Sequence, residues 1–240
     1  MKIIKPYARI IRTTEDALCA IEWCARISHR SEDGQKEESW RRFIQNVVLE
    51  HGDWSVVEHV SATVDMTVDR GVTHEWVRHR LFSFTQESTR FVNYEKKMPP
   101  SFIYPKPEVE CEHCLEGNEP TTGTTPMHYY SAGAQNCAYE STWLYAIDQA
   151  ERSYRELIKS GWRPQEARSV FPNALASRII TTGNLRNWRH AFIMRTTQEA
   201  HPQMRQVMIP LLVEFQRTFP LLFNDIEPNQ KQSEAMKRIR

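Results

Sequence analysis

Residues 60–69 alternate strictly between apolar and polar side chains, and this pattern constrains the fold more tightly than any other segment of the chain. Successive side chains of a β-strand point to opposite faces of the sheet, so strict alternation predicts a strand. One face would carry Val60, Ala62, Val64, Met66 and Val68, and the other Ser61, Thr63, Asp65, Thr67 and Asp69. The chain is therefore predicted to build a β-sheet that contains this segment.

Apolar residues at helical spacing predict helices over much of the remaining chain. The predicted helices cover 14–24, 37–50, 72–80, 135–160, 164–170, 184–195 and 201–215, and further strands are predicted over 3–11 and 174–182. Helices outnumber strands, and the strands are not spaced as βαβ units, so the predicted fold class is α+β. We expect a single domain over residues 1–240, with a central, mostly antiparallel sheet flanked by long helices. Residues 99–133 lack periodicity and are predicted to form an irregular excursion from that domain.

The charge of the chain is nearly balanced, with 31 Lys and Arg against 30 Asp and Glu. A net charge of +1 argues against a nucleic-acid binder that relies on bulk positive charge. From Arg163 to Arg205, however, seven arginines and no lysine face only Glu166 and Glu199, a local charge of about +5. A solvated surface from an arginine-rich genome is one interpretation, and a site for an anionic small molecule is the other.

Cysteine usage and hydropathy bear on compartment and metal content. The segment that starts at Met1 turns polar too early for a signal peptide, no apolar run could span a membrane, and we expect a cytoplasmic protein with reduced thiols. Cys19 and Cys24 lie in a helical pattern and are predicted to be core thiols. Cys111 and Cys114 form a CxxC pair that Cys137 or His128 could complete as a zinc site. Because a second CxxC pair is missing, we predict no metal and a partly ordered surface loop.

The common nucleotide-binding glycine motifs are missing from the sequence. It has eight glycines, none spaced as GxGxxG or as GxxxxGK[ST]. It also lacks the GxSxG and HExxH motifs of serine hydrolases and zinc proteases. Any bound nucleotide must therefore be held mainly by side chains.

Residues 78–90 combine three arginines and a histidine with a run of small hydroxyl side chains. Arginine forks can clamp a phosphate while serine and threonine hydroxyls bind its remaining oxygens, so the segment predicts an anion-binding loop. A solvated basic turn paired with Glu75 and Glu87 is the alternative. Ser88 could also act as a nucleophile next to His79, but the sequence offers no obvious Asp to orient that histidine. We therefore assign Ser88 to substrate binding.

The same residues resemble a known family. Arg78-His79-Arg80, followed by seven residues, Ser88 and then Arg90, resembles the signature of the flavin-dependent thymidylate synthases. Residues 55–59, ahead of the alternating strand, are similar to that family's entry to its flavin site. The order and spacing of the C-terminal half also match, at Ala167-Arg168, Asn184-Leu185-Arg186, Arg195, His201 and Gln203. Together these matches cover most of residues 50–205.

This resemblance implies an enzyme that methylates dUMP reductively to dTMP. Methylenetetrahydrofolate would donate the carbon, NADPH would be the reductant, and FAD would carry the hydride. All of these ligands are anionic, in agreement with the local excess of arginine. The resemblance further implies a homotetramer whose active sites are shared between subunits. From the hydropathy and the net charge we expect no membrane or nucleic-acid partner.

The resemblance also implies roles for individual residues. Arg195 would be catalytic, polarising the N3–O2 edge of the uracil ring. The dUMP site would comprise Glu75, Trp76, Val77, Arg78, Gln86, Glu87, Ser88, Thr89, Arg90, Arg168 and Arg195, with residues 75–78 coming from another subunit. The FAD site would comprise Ser55, Glu58, Arg78, His79, Arg80, Gln86, Asn184, Arg186 and His190.

The chain departs from the family pattern at several of these positions. Thr85 stands where Asn is expected, Glu87 and Thr89 replace an apolar and a small residue, His190 replaces Asn, and Met204 replaces Glu. Two alternatives stay open on the sequence: a regulatory or RNA-binding module on the same fold, and a relative that methylates another pyrimidine nucleotide.

Overall fold

The computed structural model describes residues 1–96, 98–105 and 138–238. The strands are β1 (Lys2–Ile4), β2 (Tyr7–Thr13), β3 (Ser61–Asp69), β4 (Ser83–Gln86), β5 (Ser101–Ile103) and β6 (Ala176–Asn184). The α-helices are α1 (Ala17–Arg26), α2 (Ser39–Phe43), α3 (Arg70–Trp76), α4 (Ala138–Lys159), α5 (Pro164–Ala167), α6 (Leu185–Arg195), α7 (Pro202–Thr218), α8 (Pro220–Phe223) and α9 (Gln232–Ala235). A π-helix, Ile44–Glu50, continues α2, and short 3-10 helices cover Ile27–His29, Glu32–Gly34, Trp54–His59, Arg168–Val170 and Met236–Arg238.

Two sheets carry the strands. The larger has the order β2-β3-β6-β4, and the smaller pairs β1 with β5 in parallel. The antiparallel β2–β3 pair has an irregular register between Ile10 and Arg12. The mixed content and the mostly antiparallel sheet confirm the predicted α+β class.

The alternating segment is confirmed as the strand β3, which lies between β2 and β6. Its apolar face is buried, but Asp65, Thr67 and Asp69 on the polar face are buried too. Asp65 remains charged inside the protein because Arg178 binds both of its oxygens, at 2.8 Å each. That hydrogen bonding, opposed in part by burial, lowers the pKa of the Asp65 carboxyl.

The chain folds into two compact units, each made of segments that are distant in sequence. The first unit comprises Met1–Pro6, Val68–Thr73 and Gln86–Ser177, and the second comprises Tyr7–Thr67, His74–Thr85 and Arg178–Arg240. The predicted extent of one domain over residues 1–240, with an excursion at about 99–133, stays a prediction. Most of that excursion, with Cys111, His128 and Cys137, lies outside the described residues.

An aromatic core fixes α6 in the second unit. Trp76, Trp188, Phe192 and Phe215 are fully buried, and Trp76 lies 5.6 Å from Trp188 between ring centroids. Each indole N–H is bonded: Trp76 donates to the Thr181 hydroxyl and Trp188 to the Ala62 carbonyl. These bonds tie α3 and α6 to the sheet from which the candidate site is built.

Several local predictions were wrong. The helix predicted over 72–80 is α3 and ends at Trp76, while the segment after it contains the unpredicted strand β4. The strand predicted over 174–182 is β6, which begins at Ala176 and continues through Gly183 to Asn184. Cys19 and Cys24 are half-buried rather than core residues.

Among the described residues, no helix is both long and apolar enough to cross a membrane.

Candidate active site

The Arg78-His79-Arg80 sequence forms a turn directly after α3. Two 3-10-type hydrogen bonds end the helix there: the Arg78 amide donates to the Glu75 carbonyl, and the His79 amide to the Trp76 carbonyl. Arg78 and Arg80 are exposed, and neither guanidinium has an ion-pair partner among the described residues of their unit. The turn therefore presents two unneutralised cations to solvent.

The start of α6 forms the opposite wall. Asn184 caps this helix by accepting a hydrogen bond from the Asn187 amide at 2.8 Å. Asn187 in turn donates through its side chain to the Leu81 carbonyl at 3.1 Å, which holds the turn after α3 against α6. Turn and helix enclose an open cleft of about 210 Å³ lined by Arg78, His79, Arg80, Leu81, Phe82, Asn187 and His190.

The position of the Phe82 ring, which lines the cleft, requires a glycine in β6. A Cβ atom at Gly183 would lie 2.4 Å from two ring atoms of Phe82, far inside van der Waals contact. The Phe82 ring also packs edge-on against Trp188, with centroids 4.9 Å apart. Gly183 thus stands within the strand because the aromatic ring occupies the space of its side chain.

His79 and Arg195 form a hydrogen-bonded pair next to the cleft. The Arg195 Nε donates to His79 Nε2 at 2.9 Å, and Arg195 Nη1 donates to Glu75 Oε2 at 3.2 Å. Since His79 Nε2 is the acceptor, the neutral ring carries its proton on Nδ1. Burial, the Arg195 cation and His190 together lower the pKa of His79 to about 4. His79 is therefore neutral at physiological pH and holds Arg195 without repelling it.

Two other residues of the second unit pair with each other at the surface. Arg186, at the start of α6, forms an ion pair with Glu58 of the 3-10 helix Trp54–His59, and both side chains are exposed. Ser55, in the same 3-10 helix, is exposed as well.

Burial lowers the pKa of His190, three residues beyond Asn187 on α6. The cleft wall thus combines a neutral amide with an imidazole that favours its neutral form.

In the first unit, the segment after β4 forms a second cluster. The Ser88 hydroxyl accepts from the Arg90 amide, and the buried Thr89 hydroxyl accepts from Arg168 Nη1 at 2.8 Å. The Gln86 amide nitrogen donates to Thr73 and to Ser177, at 3.0 and 2.9 Å. This cluster brings the Thr89 hydroxyl together with the Arg168 guanidinium, while the exposed Arg90 guanidinium lies over the Phe91 ring at 5.5 Å from its centroid.

Comparison with known proteins identifies the family. The family model described as "Thymidylate synthase complementing protein" matches residues 9–221. A flavin-dependent thymidylate synthase of Corynebacterium aurimucosum is 34% identical over 179 residues, covering 74% of this chain and 67% of the relative. One of Mycobacterium sp. strain JLS is 34% identical over 187 residues, covering 75% and 68%. The chain belongs to the flavin-dependent thymidylate synthase family.

A solved structure supports the fold. The chain matches the UMP/dUMP methylase PolB of Streptomyces cacaoi, crystallised with 5-Br dUMP, with a TM-score of 0.69. The match covers 93% of this chain and 96% of PolB at 22% sequence identity. At 22% identity this match supports the fold alone, and it does so over nearly the whole chain.

The residues present fit FAD, the family's cofactor. An FAD molecule carries two phosphates, and the sequence lacks a glycine-rich loop to bind them through main-chain amides. The turn at Arg78 and Arg80 supplies unneutralised guanidinium groups in place of such a loop. His79 and His190, also predicted for FAD, line the same cleft, and Asn184 caps the helix that forms its opposite wall.

Some residues that the sequence assigns to dUMP have other principal contacts in the structure. Trp76 is fully buried, its indole N–H is bonded to Thr181, and its carbonyl accepts from the His79 amide. Glu87 accepts a hydrogen bond from the Tyr94 hydroxyl at 2.7 Å, and Glu75 pairs with Arg195. Glu75, in the same unit as the Arg78–Arg80 turn, pairs with Arg195 and not with the turn, so the interpretation as a basic turn paired with Glu75 loses its support.

Leu81, Phe82 and Asn187 also line the cleft, and none of them was predicted from the sequence as a site residue. For Asn187 a signal was available: Asn184, Asn187 and His190 recur every third residue, which places polar side chains on one face of the start of α6. Leu81 and Phe82 carried no such signal, because apolar residues beside a basic motif are ordinary.

Proposed function

We infer that this protein catalyses the reductive methylation of dUMP to dTMP, with methylenetetrahydrofolate as carbon donor and NADPH as reductant. Family membership over residues 9–221 is the observation that carries this inference. Converting a transferred methylene carbon to a methyl group requires two electrons. FAD, when bound, supplies them as a hydride.

The second unit supplies the residues that would hold FAD. Arg78 and Arg80 would bind its phosphates through charge-assisted hydrogen bonds. His79, Asn184 and His190 would contact neutral parts of the cofactor, since burial keeps both imidazoles largely uncharged. Ser55, Glu58, Arg186 and, from the first unit, Gln86 complete the assigned set. Arg186 would exchange part of its ion pair with Glu58 for the ligand.

Arg195 would stabilise negative charge on the uracil ring. His79 and Glu75 take two of its five N–H donors, which leaves three for the N3–O2 edge of the base. A guanidinium already held at two points loses little freedom when the charge develops, and this is the condition for electrostatic catalysis. His79 thus positions Arg195 in addition to lining the cleft.

The first unit supplies residues for the nucleotide itself. Arg90 and Arg168 would bind the 5′-phosphate together with the Ser88 hydroxyl. The side-chain amide nitrogen of Gln86 donates to Thr73 and Ser177, so the side-chain carbonyl oxygen is the atom that would face a ligand. Glu87 of this unit would contribute through its carboxylate, whereas Glu75 and Val77 lie in the second unit and belong to the segment 75–78 that another subunit would supply.

The size of the cleft supports active sites shared between subunits. A volume of about 210 Å³ is below the roughly 300 Å³ at which pockets begin to enclose whole ligands. The cleft therefore fits one part of FAD, and the rest requires surface from elsewhere. We propose a homotetramer, in which residues 75–78 of one subunit complete the dUMP site of another, acting in the cytoplasm.

The test is the reconstituted reaction. Purified protein is expected to be yellow, to lose flavin absorbance with NADPH, and to convert dUMP to dTMP. Colourless protein that cannot be reconstituted with FAD, yet still binds phosphate compounds, would favour the regulatory module. Competition among dUMP, UMP and dCMP, followed by product analysis, separates dUMP methylation from methylation of another pyrimidine nucleotide.

A further inference from the structure

Thr89 lies in the segment assigned to dUMP, but its side chain is 4% exposed and already bonded. We propose that Thr89 is a positioning residue, whose hydroxyl orients the Arg168 guanidinium toward the 5′-phosphate of dUMP and does not itself contact the nucleotide. This proposal rests on the proposed function, in particular on the assignment of Arg168 to the phosphate.

The Arg168 guanidinium is held at two of its three nitrogens. Nη1 donates to Thr89 Oγ1 at 2.8 Å, and Nε donates to the Gln165 carbonyl at 3.2 Å. Two contacts on different nitrogens fix both the plane and the rotation of a planar group. Three of the five donors remain, including both hydrogens of Nη2, which suffices for a two-point contact with a phosphate.

Thr89 is itself held by the turn around it. The Ser88 carbonyl accepts from the amides of Phe91 and Val92, and the Ser88 hydroxyl accepts from the Arg90 amide. The next anchor is Tyr94, whose amide donates to the Tyr154 hydroxyl of α4 at 3.3 Å. A hydroxyl on a turn secured in this way offers a fixed acceptor, whereas water would offer a mobile one.

Arg168 depends on this acceptor because its long side chain is free to rotate although its backbone is fixed. The Arg168 amide donates to the carbonyls of Glu166 and Pro164, and its own carbonyl accepts from the Phe171 amide at 3.1 Å, but these bonds leave the side-chain torsions free. Without the Thr89 bond, the guanidinium would keep only the longer contact to Gln165. The nucleotide would then have to order the arginine on binding, and affinity would fall.

The experiment measures dissociation constants of the FAD-loaded protein for dUMP and for 2′-deoxyuridine, which lacks the phosphate. Thr89→Val keeps the shape of the side chain and removes the hydroxyl, while Thr89→Ser keeps the hydroxyl. Ser169→Ala is the matched control, since it deletes an exposed hydroxyl next to Arg168. Arg168→Ala tests the assignment on which the proposal rests.

Thr89→Val is expected to weaken dUMP binding about tenfold, the effect of one lost charge-assisted hydrogen bond, and to leave 2′-deoxyuridine binding within about twofold. Thr89→Ser should restore dUMP binding, and Ser169→Ala should match the parent. Thr89→Val that binds dUMP like the parent, or that loses both ligands equally, overturns the proposal. If Arg168→Ala binds dUMP like the parent, the phosphate assignment itself is wrong.

Discussion

Acid should weaken the second unit through His79, and a substitution at this position should remove that sensitivity. The pKa of His79 is about 4 in the folded protein against an ordinary value of 6.5, with burial as the largest cause. Below pH 6.5 the His79 imidazole is protonated in the unfolded chain, whereas in the folded chain it stays neutral down to about pH 4. Stability therefore falls as the pH falls through that window, and the full contribution is present above it.

The size of the effect follows from the two pKa values. The difference between a pKa of 6.5 and one of about 4 corresponds to about 3 kcal/mol at most, reached below pH 4. Between pH 7 and pH 5 the loss is about 2 kcal/mol. Protonation would also convert the acceptor of the Arg195 bond into a donor, so the bond breaks in the same interval.

The assay is urea unfolding of flavin-free protein, followed by tryptophan fluorescence at constant ionic strength. From pH 7 to pH 5, the free energy of unfolding of the parent should fall by about 2 kcal/mol more than that of His79→Gln. The reason is that glutamine accepts from Arg195 without titrating. Exposed His29→Gln serves as control and should keep the parent's loss of stability. If the difference in free energy of unfolding between the parent and His79→Gln stays constant within about 0.5 kcal/mol over this interval, the reasoning is refuted.

Three further outcomes are expected. Arg195→Ala should raise the activation free energy by about 3 kcal/mol, which lowers turnover more than a hundredfold, while FAD stays bound. Turnover within about threefold of the parent would contradict the catalytic role of Arg195. Gly183→Ala should lower the free energy of unfolding by about 1 to 3 kcal/mol, because the new methyl group displaces the Phe82 ring; an unchanged urea midpoint contradicts that contact. Mixing inactive Arg78→Ala and Arg168→Ala subunits should restore part of the activity and sediment as a tetramer, and a fully active monomer would refute shared sites.

Local patterns predicted the parts of the fold that depend on neighbouring residues. Strict alternation predicted β3 nearly to its ends, and the spacing of Leu185, Trp188 and Phe192 predicted α6. The same reasoning extended the helix after Gly71 too far, because a run of basic residues carries no stop signal that outweighs helical spacing. It also ended β6 at Gly183, since only the Phe82 ring, distant in sequence, explains a glycine within that strand.

The candidate site was predictable in residue type and not in its internal bonds. Residue types brought out Arg78 and His79, and the resemblance to the family singled out Arg168 and Arg195. The bond from Arg195 to His79 joins residues 116 positions apart, and the bond from Arg168 to Thr89 joins residues 79 positions apart. Such contacts are set by the packing of α6 and α5, and residue spacing alone does not encode them. The positioning roles of His79 and Thr89 therefore come from the structure.

The central claim is that the protein makes dTMP with electrons from NADPH, and the folate product tests it most directly. FAD-loaded protein is incubated with dUMP, NADPH and methylenetetrahydrofolate labelled at the methylene carbon, and both products are quantified. When NADPH supplies the two electrons, the folate leaves unoxidised, so one labelled dTMP should form for each tetrahydrofolate, with no reaction when NADPH is omitted. Dihydrofolate in equal amount to dTMP, or the absence of labelled dTMP from protein that holds FAD and binds dUMP, would contradict it.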